Sequence, residues 1–235
     1  MYDILDDAKR GFTGEGGQLN IWDSTLSKYV LFIPLETLPS VVGSVNSVEH
    51  DVTTSSSIGK IIGKKTLEDK EISFLWHRDN IKRIEKYLGK QNDFLVSYRD
   101  GTGWKFTAEY TYAPADAAAS EKVTGNITFV PSSVDDTATL DVTDMMAKTC
   151  MITSAIDSTI NFKTTTDTRT ITLTSNAGST VTYTPVSSST SVVTAEIQSN
   201  RLTLSAKASG SAIVTIKPTA TGMASWETTI LVTVA

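Results

Sequence analysis

The stretch WKFTAEYTY, residues 104–112, alternates apolar and polar side chains along its whole length. Five side chains share the apolar side: Trp104, Phe106, Ala108, Tyr110 and Tyr112. Successive side chains of a β-strand point to opposite faces, so this pattern predicts a strand with one buried and one wet face. Aromatic residues on a single strand face are more typical of a core than of a sugar-binding site.

The elements around this strand predict a compact β-rich domain. The sequence RDGTG at 99–103 favours a hairpin turn from a strand at 93–98, because Asp and Gly tolerate positive φ angles. We expect a loop at 113–121 and a last strand at 123–130, ended by Pro131. The apolar run ISFLW at 72–76 predicts another strand.

A helix is predicted at 79–88. Ile81, Ile84 and Leu88 fall on one helical face, and Lys and Arg residues fill the other. We expect Asp79 or Asn80 to cap the first amides, and Gly89 to supply the left-handed residue that ends the helix.

The N-terminal region predicts short strands at 19–22 and 29–35, joined by a turn at 23–24, and a strand at 41–52. Pro34 and Pro39 place the second of these at a sheet edge or strand end. Residues 11–17 hold four glycines and predict a mobile arm.

Residues 53–70 allow two interpretations. They form either a hairpin packed on its own domain or a long loop that becomes ordered against a neighbouring subunit. The candidate contact residues are apolar or basic, apart from one serine: Ser57, Ile58, Ile61, Ile62, Lys64 and Lys65.

Composition argues against several classes of function. Net charge is −5, which disfavours a protein that neutralises DNA phosphates. Cys150 is the single cysteine, and His50 and His77 are the two histidines, which is too few for a His/Cys metal cluster. No nucleophile motif is present, so we expect no enzyme, cofactor or metal. An acidic start without an apolar core predicts no secretory signal, and no apolar run predicts a membrane span.

The C-terminal part has a different surface. Residues up to 150 include 16 basic and 22 acidic side chains, whereas the rest of the chain has 5 and 4. Short alternating strands with frequent turns predict a β-sandwich there. We expect strands at 170–175, 181–185, 192–198, 201–206, 212–217 and 228–234. Domain limits follow as 1–133, a linker at 134–153, and 154–235.

The sequences SSSTSVVTAEI (187–197), NRLTL (200–204) and ASGSAIVTI (208–216) resemble the bacterial Ig-like domain of group 2. The resemblance covers about the last 80 residues, and the closing strand ILVTV at 230–234 is also typical of that family.

The first domain resembles the tail tube protein of long-tailed, non-contractile bacteriophages of the lambda type. DGTGWKF (100–106) and TGNITF (124–129) carry most of this resemblance, together with the order of strands, helix and hairpin. Some lambda-type tubes also append a C-terminal Ig-like domain. The resemblance implies a mainly β fold, a β-sandwich or half-barrel with one flanking α-helix, followed by an Ig-like β-sandwich.

The family resemblance also implies a structural virion protein. Six copies would form a ring, and stacked rings would conduct DNA during ejection without sequence-specific binding. Implied partners are further copies of the chain, a tape-measure protein and tail-tip or terminator proteins, with assembly in the host cytoplasm. The Ig-like domain would project outward, where host-surface glycans are candidate ligands. Alternatives are another phage virion protein, for decoration or the distal tail, and a bacterial surface adhesin fragment.

Overall fold

A computed structural model describes residues 17–235 apart from 36, 40–43, 51–58, 99–100, 117–121 and 136, and gives only the backbone of 44–50, 59–65 and 179. The chain divides into two compact units. The first contains Leu31–Met146 and the chain up to Asp23, and the second contains Ser24–Val30 and Ala147–Ala235. The division at Met146 falls within the stretch predicted as a linker. Most of the predicted arm at 11–17 lies outside the described residues.

The mainly β fold with one helix is confirmed. The elements before residue 135 are β1 (Gln18–Asp23), β2 (Lys28–Ile33), β3 (Ser44–His50), β4 (Gly59–Thr66), β5 (Lys70–Leu75), α1 (Arg78–Tyr87), β6 (Asn92–Ser97), β7 (Gly103–Pro114) and β8 (Thr124–Val134). Six of these strands make one sheet in the order β2-β1-β6-β7-β8-β5, and β3 pairs with β4 in a separate sheet. The strand β2 lies at a sheet edge, as Pro34 and Pro39 predicted.

The six-stranded sheet curls until its two edges meet. Leu35, just after β2, forms an antiparallel bridge with Phe74 on β5, the opposite edge strand. Phe32 packs against Phe94 and Tyr110, with ring centroids 5.4 Å away in both pairs, although these rings lie on strands two and three places along the sheet. Such contacts across the sheet require strong curvature, so the sheet encloses its aromatic core as a half-barrel does.

The predicted inner face of the long strand is confirmed as core at three of its five positions, whereas Trp104 and Tyr112 are only partly buried. Phe106, Ala108 and Tyr110 are buried, while Glu109 and Thr111 are exposed. Phe94 stands at the centre of the rings and lies 5.1 Å from Phe106 and 5.2 Å from Phe129 between centroids. Edge and stacked aromatic pairs of this kind stabilise by about 0.5–1.5 kcal/mol each beyond the area they bury.

Helix α1 begins one residue earlier than predicted and is capped differently. The His77 ring accepts the Asp79 amide at 3.3 Å, so the predicted caps Asp79 and Asn80 are wrong. Asn80 is buried instead and donates to the Leu75 carbonyl at 2.9 Å. Gly89 has φ of +70°, as predicted, whereas Leu88 is 39% exposed and does not belong to the buried face.

Strand β8 continues past the predicted stop at Pro131. Ala108 pairs with Pro131 and Thr107 with Ser133, so Ser132 is an extra residue in the ladder. A β-bulge tolerates proline because the local hydrogen-bond pattern is already interrupted. The proline therefore marks a bulge within the strand, and β7 likewise extends to Pro114, into the predicted loop.

The second unit is a two-sheet sandwich. Its strands are β9 (Thr149–Cys150), β10 (Thr159–Phe162), β11 (Thr168–Thr172), β12 (Thr182–Ser187), β13 (Val193–Gln198), β14 (Arg201–Ala206), β15 (Gly210–Thr219), β16 (Ala224–Ser225) and β17 (Thr228–Val234). One sheet has the order β10-β17-β15-β12, the other β11-β14-β13, and β16 pairs with β9. Buried aliphatic residues of both sheets meet in one core, including Leu202 and Leu204 from β14 and Ile230 and Val232 from β17.

The sequence analysis missed strand β10. It has four residues and pairs in parallel with β17, Ile160 lying opposite Val232. A parallel neighbour is reached by a long connection, so no hairpin turn marks it in the sequence. Ser199 has φ of +58° at the predicted turn between β13 and β14.

Candidate assembly surfaces

The predicted contact residues lie on a hairpin. Ile61, Ile62, Lys64 and Lys65 belong to strand β4, which runs antiparallel to β3; Ser57 and Ile58 lie outside the described residues. The register places Ile61 opposite Val48, Ile62 opposite Ser47 and Lys65 opposite Val45. Residues 59–66 of the stretch 53–70 are therefore strand, which favours the hairpin interpretation of its backbone.

This hairpin forms a sheet of its own. Within the described chain, β3 and β4 pair with each other and are not part of the six-stranded sheet. Two-stranded sheets are marginally stable alone in water and need a third strand or a packing partner. Eight residues of β4 span about 26 Å, so the hairpin has a long face for such a packing partner.

A second surface is the outer face of β7, β8 and β5. Its outward residues are mostly polar, with Glu109 and Thr111 on β7, Asn126 and Thr128 on β8, and Glu71 on β5. Val130 of β8, which is 48% exposed, is an apolar residue of the same face and lies opposite Glu109. Asn126 donates to Glu71 at 2.7 Å, which fixes both side chains across the strand pair. We call this outer face of β7, β8 and β5 the polar wall. Its carboxylates disfavour contact with phosphates.

The outer face of β1 and β6 is different because residues 134–146 cover part of it. The Asn20 amide nitrogen lies 3.5 Å from the Met146 sulfur. A side chain at Gly103 would meet Val142 at 2.8 Å and Leu95 at 3.2 Å. Glycine is therefore required where this segment crosses the sheet, and we call residues 134–146 the acidic segment.

The acidic segment is fixed in place by backbone hydrogen bonds. Gly103 and Thr139 exchange two of them, at 2.9 and 2.8 Å, and the Val142 amide donates to the Gly101 carbonyl at 2.9 Å. Between these bonds stands Leu140, which is 82% exposed. Hydrogen bonds from the Thr143 hydroxyl and amide lower the pKa of the adjacent Asp141 carboxyl and keep it ionised.

Sequence reasoning treated the acidic segment only as a linker. The signal that could have revealed a surface is its composition: four aspartates, no basic residue and one isolated leucine. The segment has no apolar period, because its described residues form only short pieces of regular structure, such as the isolated bridge between Thr139 and Gly103 and the 3-10 helix Thr143–Met145.

Helix α1 is anchored to the sheet by its C-terminal half. The Tyr110 hydroxyl donates to the Ile84 carbonyl at 2.6 Å, and the Tyr112 hydroxyl donates to Glu85 at 2.9 Å. Arg83 donates to the Leu31 carbonyl of β2. Burial raises the pKa of the Tyr110 hydroxyl well above its ordinary value, so it stays protonated and donates at neutral pH.

The second unit presents polar sheet faces. On the outer face of the β10-β17-β15-β12 sheet, Val186 lies opposite Thr215 and Thr184 opposite Lys217. Val186 is 60% exposed and Ile213 37% exposed, while the aromatic side chains Tyr183 and Trp226 are buried. Exposed single apolar residues among Ser and Thr are common on protein surfaces and indicate no particular ligand.

The described residues hold no cluster of possible metal ligands. No three His, Cys, Asp or Glu side chains gather there as a metal ion would require. Cys150 is buried, 3.5 Å from the Ser175 hydroxyl, and His77 is used as a helix cap. No helix in the described part of the chain is long and apolar enough to cross a membrane.

Comparisons with protein-family models and with curated proteins find no match for this chain.

Proposed function

We propose that this chain is a structural subunit that assembles with copies of itself into stacked rings, as the tail tube of a long-tailed bacteriophage. The observation that carries the proposal is the β3–β4 hairpin, which pairs outside the main sheet and has two isoleucines and three lysines in β4. A two-stranded sheet of this composition is stabilised by docking on another surface.

The polar wall of β7, β8 and β5 supports the same proposal. A conduit for DNA needs an inner surface that does not hold phosphates. Glu71 and Glu109 supply negative charge there, and Thr111, Thr128 and Asn126 are neutral. We propose that this face lines the channel, with the second unit as an outward attachment.

Sedimentation velocity of the full chain over a range of concentrations tests the proposal. The wild-type chain is expected to form rings or larger assemblies, and the double variant Ile61→Asp, Ile62→Asp is expected to remain monomeric. The double variant Val186→Asp, Ile213→Asp is the matched control, because it places the same two charges on exposed apolar residues of the second unit. A wild-type chain that stays monomeric would favour the decoration or adhesin alternative.

A further inference from the structure

We propose that the acidic segment, residues 134–146, is the docking site for the β3–β4 hairpin of a neighbouring copy. This inference rests on the proposed function, since it needs the chain to assemble with itself. It names the surface on which the hairpin docks, which the proposed function leaves open.

Charge complementarity is the first argument. Strand β4 contains Lys60, Lys64 and Lys65 and no acidic residue, and its partner strand β3 contains one, Glu49, opposite Lys60. The two strands together therefore carry a net positive charge. The acidic segment contains four carboxylates and no basic residue: Asp135, Asp136, Asp141 and Asp144. Complementary charges of this kind steer association and fix which surfaces meet.

Apolar surface is the second argument. Leu140 is 82% exposed although the backbone around it is held by hydrogen bonds on both sides. Tyr98 is 40% exposed, and its amide donates to the Thr102 carbonyl. Thr102 is followed by Gly103, which pairs with Thr139, the residue before Leu140. Strand β4 carries two neighbouring isoleucines, Ile61 and Ile62, and successive residues of a strand alternate between its faces, so either face offers one of them as an apolar partner.

Preorganisation is the third argument. The Asp141 carboxylate accepts the Thr143 amide at 3.0 Å, and Gly103 pairs with Thr139. The segment therefore presents Leu140 in one fixed place before any partner arrives, and binding orders little further chain there. A fixed apolar residue in an aspartate-rich segment fits a strand that carries isoleucines between lysines.

Crosslinking between two single-cysteine chains tests the contact. A full-length Leu140→Cys chain is mixed with a full-length Ile61→Cys chain and treated with a bis-maleimide that spans about two strand spacings, or about 10 Å. We expect a covalent dimer in this mixture and little in the control mixture of Val123→Cys with Ile61→Cys. Val123 is an exposed residue outside both surfaces, and the native Cys150 is buried and does not compete.

A charge substitution gives the second readout. Leu140→Asp is expected to raise the concentration for half-assembly at least tenfold, and Val123→Asp less than twofold. If the wild type assembles while Leu140→Asp assembles equally well and no specific crosslink forms, this docking site is wrong and the proposed function stands. If the wild type does not assemble at all, both proposals fall.

Discussion

The two units of this chain are both mainly β, yet they differ in core and in surface. The first buries a cluster of aromatic rings around Phe94 and has a hairpin that pairs outside its main sheet. The second buries an aliphatic core between two sheets and presents Ser and Thr on its faces. The two surfaces that we propose to dock in assembly, the β3–β4 hairpin and the acidic segment, both belong to the first unit. We infer that the first unit assembles and the second is carried by it.

The largest effect is expected in the aromatic core. Phe94→Ala removes a ring that contacts Phe32, Phe106, Tyr110 and Phe129, and should destabilise the first unit by about 3–5 kcal/mol. Urea unfolding followed by tryptophan fluorescence in a Trp226→Phe background measures it, because the remaining tryptophans belong to the first unit. A loss below 1 kcal/mol would show that the rings do not form the core.

The matched change in the second unit is Leu204→Ala. Leu204 is fully buried in the aliphatic core, so about 2–5 kcal/mol should be lost from that unit. Fluorescence of Trp226, which is 3% exposed, reports this unit when the other tryptophans are replaced by phenylalanine. If Leu204→Ala lowers the first unit's transition equally, the two cores are not independent.

Much of this difference could be predicted from the sequence, for reasons that particular residues illustrate. Strands β14 and β17 have the predicted bounds, because regular alternation and flanking turns mark both ends. Predictions were wrong where tertiary structure overrides a local rule. Pro131 does not end its strand, because a bulge accommodates it, and Asn80 does not cap the helix, because the fold buries its side chain. Residues 134–146 have no periodicity, so their position against Gly103 could not be predicted.

A smaller effect should come from Tyr110→Phe. The change removes the hydroxyl that bonds the Ile84 carbonyl near the end of α1, and should cost about 1–2 kcal/mol. The folded-state pKa of Tyr110 is raised, so its contribution is complete below pH 10 and is lost as pH rises above that value. The free energy of unfolding, measured from pH 8 to 11, should therefore decline less in Tyr110→Phe than in the wild type. Tyr98→Phe, at an exposed tyrosine, is the control.

The smallest effect concerns a turn of the second unit. Asp167 accepts the amides of Lys163 and Thr164 at 2.8 and 3.0 Å, and the Thr164 hydroxyl at 2.8 Å. These bonds, the hydroxyl first, lower the pKa of the Asp167 carboxyl. Its stabilising contribution is present above the unfolded pKa and is lost as pH falls through the lower folded value.

Asp167→Asn should therefore lower stability slightly at pH 7 and flatten its decline between about pH 5 and 2. Thermal unfolding followed through Trp226 measures this decline. The same decline in wild type and variant would assign the acid sensitivity to other groups.

We propose that the first unit assembles into rings with the second unit outside. Negative-stain electron microscopy of the purified full chain at high concentration, with two-dimensional averaging, tests it most directly. We predict six-fold rings or tubes that have one outer knob for each subunit. Single particles of monomer size at the highest soluble concentration, or closed dimers, would contradict the claim.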